Sequence, residues 1–550
     1  MNIKYNYLLN KKKGNIILLI FIINMCIIFT FGSYLEEYEG MISSFISGIY
    51  TTPVLKDWNL DLHFLLLPLY SKIAFYFPDV NVYAFILLTF NLVILTMLGY
   101  LILTYLRYLL NNSSYTCILF LILYLIIAID SILNLNSTRI VFNSMILIFG
   151  YIQLYRLKNL RMNISTWIFI SIALLFLCLI RMDAVLLSSI IYIVLLILFK
   201  QFYKMSLVPL IISLSSLVSY SICIIPKLSE ARQSFYLKEL DIFDRANFKT
   251  DNIPELTKLD IDAIKNHYIF DKEHFTLHFY DIIAKESGKG IFNIFNGIRL
   301  DSMKNTILNS VPYFLSSMIP IFLILLLFFI GIKGNASKKS FVLKSVFCML
   351  MPLFICLYVI TPSRFLIPYY ITLSYIYIFM YLKRRESPIK IILITGFILI
   401  LIILKAGKDK QNYETIQTEY LTNISSLQKL TANEKTGNPV VINNIGNIFF
   451  FPVSVFSYTP KLDAVFLNFY YFNSFNCYLD RWNKICNCNP LSLKEKVDYI
   501  SKNGNTIIID NNSFLFMKKY FLLKYNINLQ KSVLGNFNEE LFIMKITVIK

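Results

Sequence analysis

The sequence predicts an all-α membrane protein of about eleven transmembrane helices, with a small α/β domain at its C-terminal end. Three observations lead there. The chain of 550 residues is 57% hydrophobic and only 15% charged, more apolar surface than a water-soluble fold can hide. Apolar runs of about 20 residues, the length a bilayer requires, recur from Gly14 as far as Ile403. Beyond residue 405 the runs give way to short strand and helix patterns.

The spans are expected at 15–33, 82–106, 115–133, 140–155, 165–180, 184–200, 207–226, 311–331, 342–360, 365–382 and 389–405. The first is led in by Lys11, Lys12 and Lys13. It carries no small-x-small cleavage site and further spans follow, so it reads as a retained helix rather than a signal peptide. The run 62–77 is apolar, but Pro68 and Pro78 bound it awkwardly. It is expected to lie at the membrane interface.

Basic residues assign the sides. Lys11 to Lys13 put the N-terminus in the cytoplasm. Arg107, then Arg156, Lys158 and Arg161, then Lys200 and Lys204 fall on the same side. So do Lys333, Lys338, Lys339, Lys344, Lys383, Arg384, Arg385 and Lys390. The short outside links carry only Arg139, Arg181 and Arg364. Promoting 62–77 to a span would break this pattern. The chain thus divides into a transmembrane domain, 1–405, with outside loops at 34–81 and 227–310, and an extracytoplasmic domain, 406–550, in a cell (inner) membrane protein. The net charge of +19 sits in the links between spans, where it suits anionic lipid headgroups and topology rather than nucleic acid.

Within 406–550, residues 439–451 and 506–510 read as strands. The stretch 491–502 has helical spacing and ends at Gly504. Of nine cysteines, Cys26, Cys117, Cys178, Cys223, Cys348 and Cys356 lie in apolar runs, as small core residues do. Cys477, Cys486 and Cys488 lie in a polar segment, where an extracytoplasmic location would allow one disulfide among them.

Glu36 and Glu37 stand just past the first apolar run. A charge at full bilayer depth costs roughly 2.5–3.5 kcal/mol, so acids kept at this boundary invite a use. A carboxylate there can take the proton of an attacking hydroxyl. Asp57, Asp61 and His63 follow in the same loop and could orient an acceptor. Arg139, Arg181 (with Asp183 beside it) and Arg364 each stand at the outer end of apolar helices. Their planar guanidinium groups suit a phosphate held at that surface. The bland reading of Arg181 is a structural pair with Asp183. His274 and His278 share a helical spacing that a metal could use, but no further ligand pattern accompanies them.

Taken together, these residues resemble the GT-C superfamily of multi-spanning glycosyltransferases, which includes protein O-mannosyltransferases and the lipid A aminoarabinose transferase. Tyr34 to Pro53 stands where such enzymes carry an acidic pair, a Tyr and a glycine spaced from a proline. Asp61-Leu-His63 through Pro68-Leu69 resembles their interface helix, and Leu179 to Asp183 and Arg364 to Pro368 resemble their arginine-bearing span ends. The acidic pair is Glu-Glu rather than Asp-Glu, and the Pro-Pro-Leu of the family is reduced to one proline. The resemblance implies a polyprenyl-phosphate sugar donor and an extracytoplasmic glycan, lipid or protein acceptor. Glu36 or Glu37 would be the base, and Arg181, Arg364 and Arg139 would hold the donor phosphate. No cofactor is read from the sequence, and the resemblance leaves a divalent metal open. Two other readings of the same pattern are a surface-polysaccharide polymerase or ligase, and a transporter or flippase. The second lacks matched, interrupted half-repeats.

Overall fold

The computed structural model describes residues 2–35, 66–77, 80–110, 114–160, 162–198, 204–224, 257–265, 388–433, 439–444, 453–456, 464–468 and 492–549, with isolated residues between them. The chain forms two compact units. One comprises Met1–Glu36, Ala84–Cys223 and Met303–Glu414, the other Glu37–Tyr83, Ile224–Ser302 and Thr415–Lys550.

The first unit is helical. Its described helices are α1 (Asn2–Phe31), α3 (Val82–Leu110), α4 (Ser114–Leu133), α5 (Ser137–Leu157), α6 (Ile164–Leu198) and α7 (Val208–Ile224). It also holds the first part of the long helix α9 (Pro388–Asn433), and α3 begins just inside the second unit's boundary. Five helices among the described residues are long and apolar enough to cross a membrane: Lys13–Phe31, Val82–Leu110, Tyr115–Leu133, Ser137–Leu157 and Ile164–Ile197. The protein is therefore a mostly helical membrane protein. The expected spans 311–331, 342–360 and 365–382 fall outside the described residues, apart from Ile371, Thr372 and Tyr375.

Small and polar side chains bring these helices together. A Cβ on Gly99 of α3 would come 2.8 Å from the Tyr124 ring of α4 and 2.9 Å from Ile20 of α1. Only glycine allows that approach. Beside it, Asn24 donates to Thr96 (3.2 Å), and the Tyr124 hydroxyl donates to Asn24. Nearer one end, Asn143 Nδ2 donates to Ser131 Oγ, which donates to Asn91 Oδ1. A buried polar group in this setting is tolerated because each finds a partner.

The expected pair of spans at 165–180 and 184–200 corresponds to α6, a 35-residue helix broken at Arg181 (φ −157°, ψ 89°). Side-chain contacts show that the chain reverses there. The Tyr108 hydroxyl near the end of α3 donates to the Leu157 carbonyl at the end of α5, so those two ends lie level. Ile164 follows shortly after. Tyr192 stacks on Phe149 with ring centroids 4.0 Å apart, and Gln153 Nε2 donates to its hydroxyl. Phe149 is about 12 Å of helix from Leu157, whereas an unbroken α6 would carry Tyr192 about 42 Å from Ile164. A turn at Arg181 removes the mismatch. It also puts Arg181 at the same end of the bundle as the start of α5.

In the second unit, α2 (Leu66–Tyr76) has 11 residues. At about 16 Å it is too short to cross a bilayer. A five-stranded sheet in the order β5-β3-β6-β8-β7 is built from β3 (Val440–Asn444), β5 (Ala464–Asn468), β6 (Thr506–Asp510), β7 (Asn528–Asn536) and β8 (Leu541–Ile549). A two-residue β4 (Val453–Ser454) precedes β5, and Gln417 accepts the Ser454 amide. β3 runs parallel to β5 and β6, and β8 and β7 add antiparallel. The central strands are apolar without alternation, Val440-Val441-Ile442 and Ile507-Ile508-Ile509, and both are buried. Strands covered on both faces read this way. α10 (Leu493–Asn503) starts on the cap Ser492 and ends on Gly504 in the left-handed region (φ 62°). α11 (Asn511–Tyr525) is capped by Asp510 directly out of β6. The helix expected at 491–502 is thus α10, and the strand expected at 506–510 is β6.

The composition boundary at 405 falls inside a helix. α9 continues for 28 residues beyond it, because the polar stretch that follows is rich in Lys, Gln and Glu and free of proline.

Candidate functional site

The site lies at the end of the first unit where α1 finishes and α5 begins. The amide of Gly32 closes α1 on Ile28 O (2.8 Å), and the residue then adopts φ +81°. That turn leads into β1 (Tyr34–Leu35), which pairs in parallel with β2 (Asn134–Leu135), Tyr34 opposite Asn134 and Leu35 opposite Leu135. Ser33 Oγ donates to Ile132 O (2.8 Å) and anchors the same crossing. Leu35 is fully buried and is the last described residue before Glu36.

β2 is followed at once by the N-terminus of α5. Asn136 caps it, accepting the Arg139 amide at 2.6 Å. Arg139 Nε donates to Asp130 Oδ2 (2.9 Å), and Nη1 donates to the Asn134 carbonyl (3.2 Å). Asn134 Nδ2 reaches Asp130 Oδ1 at 3.3 Å. Arg139 is 4% exposed and Asp130 6%. An ion pair this deep offsets the desolvation of both charges only through such supporting bonds. Among the described residues, the side-chain nitrogen Nδ2 of Asn136 is buried with no hydrogen-bond partner.

α9 brings a third layer. The Tyr413 hydroxyl donates to Asn134 Oδ1 (2.5 Å), and its ring packs on Tyr34 with centroids 5.1 Å apart. Lys410 Nζ donates to Thr30 O (2.9 Å) and lies 3.6 Å from Glu414. Asp409 stands one helical turn before Tyr413 and so shares its face. Burial and the nearby Asp130 push its carboxyl up, with Lys405, Arg139 and Lys408 opposing, and the balance stays above the usual aspartate value. Burial, then the charge of Glu414, raises the Tyr34 hydroxyl.

Arg181 reaches the same end of the bundle. Its Nε contacts both oxygens of Asp183, at 3.0 and 3.3 Å. Arg181 is 7% exposed and Asp183 54%, so the arginine is drawn inward while its partner faces out. Arg139, Arg181 and Asp183 are therefore placed, each arginine with an aspartate against it. Glu36, Glu37, Asp57, Asp61, His63 and Arg364 lie outside the described residues, as do Cys477, Cys486 and Cys488.

Sequence reasoning missed Asp130, Asn134, Asn136, Asp409 and Tyr413. Asp130 left a signal, a lone acid in an otherwise apolar run. Asp409 was hidden among Lys405, Lys408 and Lys410, a run that reads as solvated surface.

The second unit holds a separate polar cluster. Thr257 and Asp260 form a reciprocal cap on α8 (Lys258–Lys265), and His274 Nε2 meets Asp260 Oδ1 at 2.8 Å. Burial alone would raise Asp260. The hydrogen bonds from His274 and Thr257 outweigh it and hold the carboxyl below its usual range. Asp271 accepts the hydroxyls of both Tyr520 and Tyr525 on α11, and Lys519 lies 3.8 Å from Asp262. His278 lies outside the described residues, and no group of three metal-ligating side chains occurs among those described.

The geometry defines a polytopic helical membrane protein with buried, paired charges at one end of its bundle. Comparison with protein-family models, curated proteins and solved structures returns no match to this chain.

Proposed function

We propose that the chain is an integral membrane glycosyltransferase that moves a sugar from a polyprenyl-phosphate-linked donor to an extracytoplasmic acceptor. The observation that carries this reading is the β1–β2 pairing. It fastens the residues leading into Glu36 and Glu37 beside the helix start that bears Arg139. An acid for the acceptor and a cation for the leaving phosphate would then share one end of the bundle. In the proposed inverting transfer, the acceptor oxygen attacks the anomeric carbon as Glu36 or Glu37 takes its proton. The bond from that carbon to the phosphate oxygen breaks, and the arginines stabilise the departing lipid phosphate.

The reading includes about eleven spans, with the N-terminus cytoplasmic and 406–550 extracytoplasmic. Arg364 joins Arg139 and Arg181 on the donor side, and Asp57, Asp61 and His63 serve the acceptor. The test is the mass of surface glycans in a deletion strain complemented with wild type, Glu36→Gln or Glu37→Gln at equal membrane levels. Wild type is expected to restore a sugar-sized mass, and one Gln variant to lose it by at least about a hundredfold, the usual range for a general base. Full restoration by both variants would remove the base assignment, and a wild type that restores no glycan would remove the transferase reading. Chelation with EDTA in membranes separates metal-assisted transfer from an arginine-only one.

A further inference from the structure

We propose that the outward face of α11 is a membrane-contact surface: its leucines enter the boundary between headgroups and acyl chains, and its lysines meet anionic lipid headgroups. The inference is independent of the transferase reading.

α11 is apolar on both sides. It buries Phe514, Phe516, Met517, Tyr520 and Phe521 and packs on β6 and β7. Its other side is not the polar face of a solvated helix. Leu515, Leu522 and Leu523 are 52%, 50% and 64% exposed. Leu515, Lys518, Lys519, Leu522 and Leu523 fall within one arc of about 140°. A helix that is hydrophobic all round needs cover on both sides. α10 of the same unit shows the ordinary alternative. It buries Leu493, Val497 and Ile500 and turns Lys494, Glu495 and Lys502 outward. The outward leucines are thus a property of α11 and not of the unit's surface in general. β7 extends the face. Lys531 donates to Asn511 and lies 5.1 Å from the centroid of the Phe514 ring, so this side of β7 adjoins the start of α11. Val533, two residues along the strand, shares that side and is half exposed.

The charges select the occupant. α11 and β7 carry Lys518, Lys519, Lys524 and Lys531 and no Asp or Glu. Lys519 lies 3.8 Å from Asp262 with both members exposed, a pair too weak to keep the lysine from a headgroup. Leucines interleaved with lysines on one face are the pattern of a helix lying in a membrane interface, where anionic lipids draw basic residues. A bilayer is always within reach, because the unit belongs to the same chain as the apolar spans. Leu515 and Leu522 are two turns apart, about 10 Å along the axis, so the contact runs along the helix rather than at one end.

The test places the photo-crosslinker p-benzoylphenylalanine at Leu515, at Leu522 or, as a control, at Lys494 on the outward side of α10. Full-length protein is reconstituted in vesicles of phosphatidylcholine with or without phosphatidylglycerol. Mass spectrometry identifies what each site captures, and an unfolding midpoint equal to that of wild type verifies the fold of each variant. Both α11 sites are expected to capture lipid, at least about threefold more with phosphatidylglycerol present, and the α10 site little. Lys518→Gln combined with Lys519→Gln should lower the yield to the level seen in phosphatidylcholine alone. Capture of a second copy or of the first unit at the α11 sites in place of lipid would overturn the proposal, as would no capture at either. Equal lipid capture at Lys494, or a yield indifferent to phosphatidylglycerol, would overturn it too.

Discussion

A carboxylate in an apolar helix persists only with a partner, and Asp130 has Arg139. Removing one member leaves the other a buried charge without its ion-pair partner. Asp130→Asn should therefore cost about 3–5 kcal/mol, and Arg139→Gln a similar amount. The double variant should cost clearly less than the sum, because the two changes remove one interaction. Thermal unfolding of the detergent-solubilised variants gives this cycle directly, and strict additivity would show that the pair is not coupled. Gly32 makes a second case. Its φ of +81° lies in the left-handed region, and a Cβ would fall 2.8 Å from the Tyr34 ring. Gly32→Ala should destabilise by at least about 1–2 kcal/mol from the backbone alone. By displacing Tyr34 it should also reduce the glycan restored in the complementation assay. At this scale the sequence singled out Arg139 through its isolation on the side expected to be poor in cations. It did not reveal Asp130 as the partner, because the two meet only after the chain has turned through β2.

Among the elements, α6 shows what span length can and cannot say. Seventeen mostly apolar residues on either side of Arg181 suit two crossings, and the pattern of basic residues puts Arg181 on the expected outside. The contacts of Tyr192 with Phe149 and Gln153 supply the physical reason for the reversal. Cysteines introduced at Asn163 and at Lys200 should label from one side of the membrane, and one at Asp183 from the other. Labelling of all three from one side would sink the hairpin. α9 shows the opposite case. Its apolar part, expected as a span at 389–405, is helical, but the helix runs on to Asn433. Hydropathy ends where the solvent changes, whereas backbone hydrogen bonding ends only where a breaker or cap intervenes. α10 was legible at both ends because Ser492 and Gly504 are such signals.

Over the whole molecule, the loop expected at 227–310 as part of the transmembrane domain falls mostly in the second unit, which takes in Ile224–Ser302. Asp271 is bonded to Tyr520 and Tyr525, and Asp260 to His274. Asp260 titrates below its unfolded value of 3.8. Its contribution to stability is thus complete above about pH 4 and is lost as the pH falls through the depressed folded value. The unfolding midpoint of wild type should exceed that of Asp260→Asn at pH 6 and approach it near pH 3. A constant gap across that range would show that the carboxylate's charge is not what holds α8.

What the sequence determined by itself is the solvent of each segment. Runs such as Val82–Leu110 and Ser114–Leu133 are too apolar to lie in water, and Val440–Ile442 and Ile507–Ile509 too apolar to lie at a surface. These are local properties, additive along the chain. Only the tertiary structure decided which charges meet. Asp130 and Arg139 meet where the chain passes through a two-residue strand pairing into a capped helix start, and a tyrosine from a helix far along the chain closes on Asn134 beside them. Electrostatic partnership depends on distance and burial, and neither is a property of any single segment.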